Sequence, residues 1–331
     1  MRPRTPSRPS RPWYRLWPEY LALRFGIGWI PLLPRSTLVR LAHFCGRVGF
    51  RFSKRLRQDS MENLDLVFGD ALSPSEKETL LKRCYQHFAL LVLDIIWFTR
   101  HPHRRLKEWV SWDASTEVLF RDEAQLLLTA HYGNWETVGQ AYAALGQPIL
   151  SVAAPLKNPK VDARFLHMRQ QTGQTIIPQQ GAARALMQGL RNRKKLAVLL
   201  DQNTRPRDGG VFVDFFGKQV PVSSAPAALA VKTNAPVITV LCVPDMQGRY
   251  TVTVHDTLRA DPEAENPVAD LTGRMTRSME HVIRDTPEYW CWMYRRWRLV
   301  PESEALSDYP SYARHIEPHD LRYPKRAADA G

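Results

Sequence analysis

Residues 126–136 read Leu-Leu-Leu-Thr-Ala-His-Tyr-Gly-Asn-Trp-Glu, so His131 and Glu136 stand five positions apart. An imidazole can take a proton from a hydroxyl near neutral pH, and a carboxylate beside it fixes its tautomer and raises its basicity. On one continuous helix, side chains five apart point about 140° away from each other and never meet. A corner solves this. The apolar run from Leu126 to Ala130 has the length of a buried strand, Gly133 and Asn134 suit a sharp turn, and the sequence from Glu136 onward can run as a helix. His131 then ends a strand and Glu136 opens a helix, which is where open α/β sheets place their sites. The plainer alternative is a histidine capping a strand and an acid capping a helix.

Further candidates lie downstream. Val161 to Gly173 has the pattern of a helix with Arg169 at the edge of its buried face and Arg164 on another side. Arg169 suits either an anionic group in the site or a surface ion pair. Leu196 to Leu200 is a second buried strand, and Asp201-Gln202-Asn203 follows it. No Gly-x-Ser-x-Gly elbow, phosphate loop, dinucleotide fingerprint or metal-ligand spacing occurs. Neither a metal nor a resident cofactor is expected. What remains is a base with an orienting carboxylate and a cation. That set fits direct transfer from a thioester to a hydroxyl, with the oxyanion held by Arg169 or by backbone N–H groups around Gly133 and Asn134.

His-x4-Glu after an apolar strand resembles the glycerolipid acyltransferase superfamily. The fuller His131-Tyr132-Gly133-Asn134-Trp135-Glu136 resembles its lipid A branch, the late acyltransferases that place lauroyl or myristoyl chains. Similar in kind are the Glu-Asn-Leu segment at 62–64, Arg169 four residues before Gly173, the Asp201–Gln202 pair and Trp290…Arg295-Arg296-Trp297. The resemblance spans about residues 62–297. It implies an α/β fold with a mixed, mostly parallel central sheet flanked by helices and an amino-terminal membrane-associated helical region. It also implies acyl carrier protein or coenzyme A thioesters as donors and a lipid A precursor as acceptor, at the cytoplasmic face of a bacterial inner membrane, with peripheral or monotopic attachment. In that frame His131 is the general base and Glu136 orients it. Arg169, Asn134, Gly133, Asp201 and Gln202 serve the oxyanion or substrate. Phe212, Phe215 and Phe216 line an acyl-chain groove or fill the core. A lysophospholipid or other glycolipid acceptor is the alternative.

Charge divides the chain. Residues 1–60 hold 13 Lys+Arg against Glu19 and Asp59, a net +11, so the rest of the +13 chain carries only +2. Such a body disfavours nucleic acid, and such an arm suits anionic lipid headgroups. Interfacial aromatics Trp13, Tyr14 and Trp17 precede an apolar stretch whose longest uncharged run, 25–34, is too short to span a bilayer. The pattern from Leu38 to Arg57 suits a basic amphipathic helix, on a membrane or facing a core. A non-catalytic membrane-binding protein is the remaining alternative class. The expected layout is a basic membrane-interacting arm over 1–60, a catalytic domain over 61–300 and a polar, unstructured tail over 301–331. Four scattered cysteines give no disulfide framework.

Overall fold

The computed structural model describes residues 13–179 and 181–321. Four helices come first: α1 (Trp13–Trp29), α2 (Arg35–Phe52), α3 (Lys54–Phe68) and α4 (Pro74–Trp97). Ser73 and Glu76 close a capping box at the start of α4, as that sequence requires. The single helix expected over 38–57 is instead two, broken at Ser53, whose hydroxyl donates to the Gly49 carbonyl.

The body then alternates: α5 (Pro102–Trp109), β1 (Val110–Trp112), β2 (Gln125–Thr129), α6 (Trp135–Ala144), β3 (Ile149–Ala153), α7 (Pro159–Gln170), β4 (Thr175–Pro178), α8 (Ala182–Arg191) and β5 (Lys195–Leu199). A hairpin, β6 (Gly210–Phe215) and β7 (Lys218–Ser223), leads to α9 (Ala225–Thr233), β8 (Val237–Pro244), β9 (Tyr250–Leu258) and α10 (Pro267–Asp285). The seven-stranded sheet has the order β1-β9-β8-β2-β5-β3-β4, and only β8 and β9 pair antiparallel. The fold is thus mixed α/β with a mostly parallel sheet, as the family resemblance implied.

Every residue of β2 is buried, which places it at the centre of the sheet. Leu126 and Leu128 join one core cluster with Leu186, Leu229 and Met275, while Leu127 joins the other with Leu106 and Tyr142. An apolar strand covered on both faces is what parallel sheets demand.

The segment after Pro301, expected to be unstructured, folds onto the body through Leu321. Its strand β11 (Arg314–His315) pairs with β10 (Leu299–Val300), and a last turn, α11 (Pro318–Leu321), follows. Tyr309 and Ile316 are buried, and the Tyr312 hydroxyl donates to Asn63 Oδ1. Isolated large apolar residues in polar text carry no period, so the sequence pattern missed them. Residues 322–331 of the expected tail, and residues 1–12 of the arm, lie outside the described residues.

At the amino end, α2 buries Leu38, Val39, Ala42 and Phe50, while Phe44, Val48 and Phe52 face outward among Arg40, Arg47 and Arg51. Along α1, Tyr14, Trp17, Leu21, Phe25 and Trp29 are all exposed at three- and four-residue steps. Both helices therefore carry an apolar stripe that is largely exposed among the described residues. Among the described residues, no helix is long and apolar enough to cross a membrane.

Candidate active site

The parallel register between β2 and β5 builds the site. Thr129 is opposite Leu199, so two residues further on His131 leaves β2 beside Asp201 leaving β5. The Asp201 carboxylate accepts from His131 Nδ1 at 2.7 Å, from the His131 backbone N–H at 2.8 Å and from Trp290 Nε1 at 2.9 Å. An ionised carboxylate only accepts, so Nδ1 carries the ring proton and Nε2 presents a lone pair. The Gln202 amide Nε2 lies 3.2 Å from that lone pair. Trp135 stacks edge-on against the imidazole, with ring centroids 4.7 Å apart.

Burial opposes charge on Asp201, but the His131 charge, the hydrogen bonds to its ring and backbone, and the Trp290 donor hold the carboxyl at about 2. Burial likewise works against a protonated His131. The charge and hydrogen bond of Asp201, with the charge of Glu136 added, outweigh it and raise the imidazole above 6.5. This is a basic histidine with its reactive nitrogen free of the orienting carboxylate.

Glu136 is not that carboxylate. Its two oxygens accept from Arg169, with Nε at 2.7 Å and Nη2 closing the fork. It acts on His131 through charge alone. The corner expected from the sequence is present, but α6 begins one residue earlier, and its first turn points Glu136 at α7 instead of at the end of β2. Arg169 thus faces the site, whereas Arg164 bonds Tyr20 on the amino-terminal helix.

The turn between His131 and Trp135 is locked from several sides. Gly133 has φ +56°, and a Cβ there would meet the Cys242 carbonyl oxygen at 2.2 Å. Its N–H donates to the Tyr289 carbonyl at 2.9 Å, and the Asn134 N–H donates to the Cys242 carbonyl at 2.7 Å. The Asn134 side chain is 1% exposed and caps α6 by accepting from Thr137 N at 2.9 Å. Gly133 and Asn134, expected at the substrate, are therefore spent on the scaffold: both N–H groups already have carbonyl partners and neither residue reaches the cavity wall. Asp201, expected at the substrate too, lies behind the imidazole.

A cavity of about 1260 Å³ opens at the carboxyl ends of β2, β3 and β5. His131, Glu136, Arg169 and Gln202 are among its polar lining, and Leu127, Val138, Tyr142, Ile149, Leu186 and Val198 are among its apolar lining. Phe212, Phe215 and Phe216 are absent from that lining. Phe215 and Phe216 are buried in the β6–β7 hairpin, where Phe215 packs on Trp290 and Trp297 at 5.8 Å each, and Phe212 is half-buried opposite Pro221. Large rings beside a tryptophan cluster go to the core, so the apolar groove comes from the sheet with α6, α8 and α9. Trp290 is the site residue that the spacing gave no means to find. It lies 159 positions from His131, yet its backbone pairs with Tyr132 while its indole holds Asp201.

An α/β sheet ending in a carboxylate-oriented histidine over a largely apolar cavity is an arrangement suited to acid–base chemistry on a bound substrate. The sequence profile of bacterial lipid A biosynthesis acyltransferases matches residues 8–299, and the chain belongs to that family. It is 23% identical to the lipid A biosynthesis lauroyltransferase of Escherichia coli (strain K12), over 87% of this chain and 94% of that one. It is also 23% identical to the palmitoleoyltransferase of the same organism, over 88% and 95%. A phosphatidylinositol mannoside acyltransferase of Mycobacterium tuberculosis is 28% identical over 54% of this chain and 56% of its own. The solved 1-acyl-sn-glycerophosphate acyltransferase of Thermotoga maritima superposes with a TM-score of 0.37 at 14% identity, over 78% of this chain and 99% of that one. The protein is an acyltransferase of the lipid A and glycolipid family.

Proposed function

We propose that this enzyme moves a fatty acyl chain from a thioester, on acyl carrier protein or coenzyme A, to a hydroxyl or hydroxyacyl group of a lipid A precursor or related glycolipid. The observation that carries this reading is the His131–Asp201 pair, with Nε2 turned toward a large apolar cavity. The acceptor O–H gives its proton to His131 Nε2 as its oxygen attacks the thioester carbonyl. Asp201 stabilises the imidazolium that forms, keeping its own charge throughout. The tetrahedral intermediate then collapses: the carbon–sulfur bond breaks, and the leaving thiolate takes the proton back from His131. The Arg169 guanidinium and the Gln202 amide border the reacting space and supply donors for the oxyanion or for an acceptor phosphate.

The exposed stripes on α1 and α2, with the basic arm, suit a monotopic seat on an anionic membrane, so that acceptor lipid reaches the cavity from the bilayer. The mycobacterial relative keeps other acceptor glycolipids in view. Purified enzyme given acyl carrier protein and coenzyme A thioesters against lipid A precursor and mannolipid acceptors, read by mass spectrometry, tests the reading. The expected product is an ester-linked lipid A precursor. Acylation of the mannolipid alone assigns the enzyme to the other branch, and thioester hydrolysis without transfer to any acceptor overturns the proposal.

A further inference from the structure

Four buried polar side chains join the amino-terminal helices to the His131 turn without reaching the cavity. Arg35, first residue of α2, forks both guanidinium Nη atoms onto the Asp94 carboxylate of α4 and donates from Nε to the Gly248 carbonyl at 3.1 Å. The hydroxyl of Tyr250, first residue of β9, donates to Asp94 Oδ2. That same hydroxyl accepts from Asn134 Nδ2 at 2.9 Å. Burial holds the Tyr250 phenol well above its ordinary 10.0, so it remains a donor at any working pH.

We propose that Tyr250 is a positioning residue for acyl transfer. It fixes Asn134, and through Asn134 the backbone that presents His131, to the Arg35–Asp94 pair.

Two features single out the hydroxyl. Asn134 Oδ1 caps α6, a task that serine or aspartate performs as well. What the amide adds is the Nδ2 donor, and that donor goes to Tyr250. A phenylalanine at 250 would fill the same space, so packing does not account for the O–H. Taking Arg35 and Asp94 out of water is costly, and an apolar pair of similar volume is often the more stable choice. The network therefore does something other than add stability. Here it leaves the turn gripped by its side chain as well as by the carbonyls of Tyr289 and Cys242.

The proposal rests on the acyl-transfer reading for its kinetic consequence but not for its structural one, and two measurements keep these apart. In Tyr250→Phe, kcat should fall about tenfold with KM changed less than about twofold, since displacing a catalytic group by ~1 Å can cost 10²-fold. Asn134→Ser, which keeps a cap, should lose a similar factor. The double variant should lose no more than either alone, because both act through one link. Hydrogen exchange of the amides from Tyr132 to Thr137 should quicken in each variant, with the sheet strands unchanged. Should Tyr250→Phe not fold, Asn134→Ser reads the same link from its other end. Near-wild-type kcat and exchange in these variants, or losses that multiply in the double variant, would overturn the proposal. If wild-type enzyme transfers no acyl chain, the acyl-transfer reading fails, and the exchange result still judges the link.

Discussion

Asp201 and Glu136 are both carboxylates at the end of the same cavity, and they are held in different ways. Asp201 is buried at 4% side-chain exposure, takes three hydrogen bonds and faces the imidazole. Glu136, at 13%, faces a guanidinium that is itself 21% exposed. The first arrangement freezes one tautomer of one ring. The second keeps a charged fork at the cavity wall, where solvent and substrate reach it. In the proposed reaction the two pairs divide the labour: one prepares the base, and the other presents charge to what is bound.

That division can be broken at several points. The largest effect is expected at the shared base: His131→Ala should lower acyl transfer by 10²–10⁴-fold or more, roughly the worth of a positioned general base. Its circular dichroism should match wild type, and retention of more than about a tenth of the activity would remove His131 from the chemistry. Next comes the fork. Arg169→Lys keeps the charge but not the planar pair of hydrogen bonds to Glu136, and should cost about 10-fold to 100-fold in kcat/KM. Arg164→Lys should stay within about twofold of wild type, since that arginine turns toward α1 and away from the cavity. Equal losses in the two would make Arg169 a surface residue and merge the two regions being compared.

Much of this corner was legible in the sequence, because the β2 run is short, apolar and closed by Gly133 and Asn134. The histidine, the turn and the start of α6 follow from local pattern. The identity of its carboxylate does not, because proximity along the chain favours Glu136. The pairing that decides it joins parallel strands 70 positions apart in sequence, which places Asp201 beside His131. Asp201 was visible as a candidate at a strand end, but its role depended on which strand is neighbour to β2. Trp290, Tyr250 and Arg35 were harder still, since the contacts that tie them in span 89 positions to Asp201, 116 to Asn134 and 59 to Asp94. The hairpin phenylalanines stayed open between groove and core because composition names a large ring but not the side of the sheet on which it lies.

The smallest effect on chemistry is expected far from both pairs. Trp17→Ser with Phe25→Ser removes two exposed rings from the α1 stripe and should weaken binding to anionic vesicles about tenfold or more, at roughly 1.5–3 kcal/mol for each large apolar side chain fully buried. Transfer to a detergent-dispersed acceptor should not change. Unaltered vesicle flotation would place the lipid contact elsewhere on the molecule, and a loss of detergent-phase activity would tie the stripe to the site itself.

The central claim is that Asp201, not Glu136, orients the base, and the pH dependence of kcat/KM measures it most directly. A general base works in its neutral form, so the acid limb of wild type should rise through a pKa above 6.5, where Asp201 and Glu136 have pushed His131. Asp201→Asn removes the stronger support and leaves burial to pull the imidazole down. Its acid limb should move to lower pH while its plateau falls by about 10² or more, because the ring loses its fixed tautomer. Glu136→Gln should move the limb in the same direction by less, with a plateau nearer wild type. The contrary result, a larger shift and a deeper loss in Glu136→Gln than in Asp201→Asn, would give the orienting role back to Glu136.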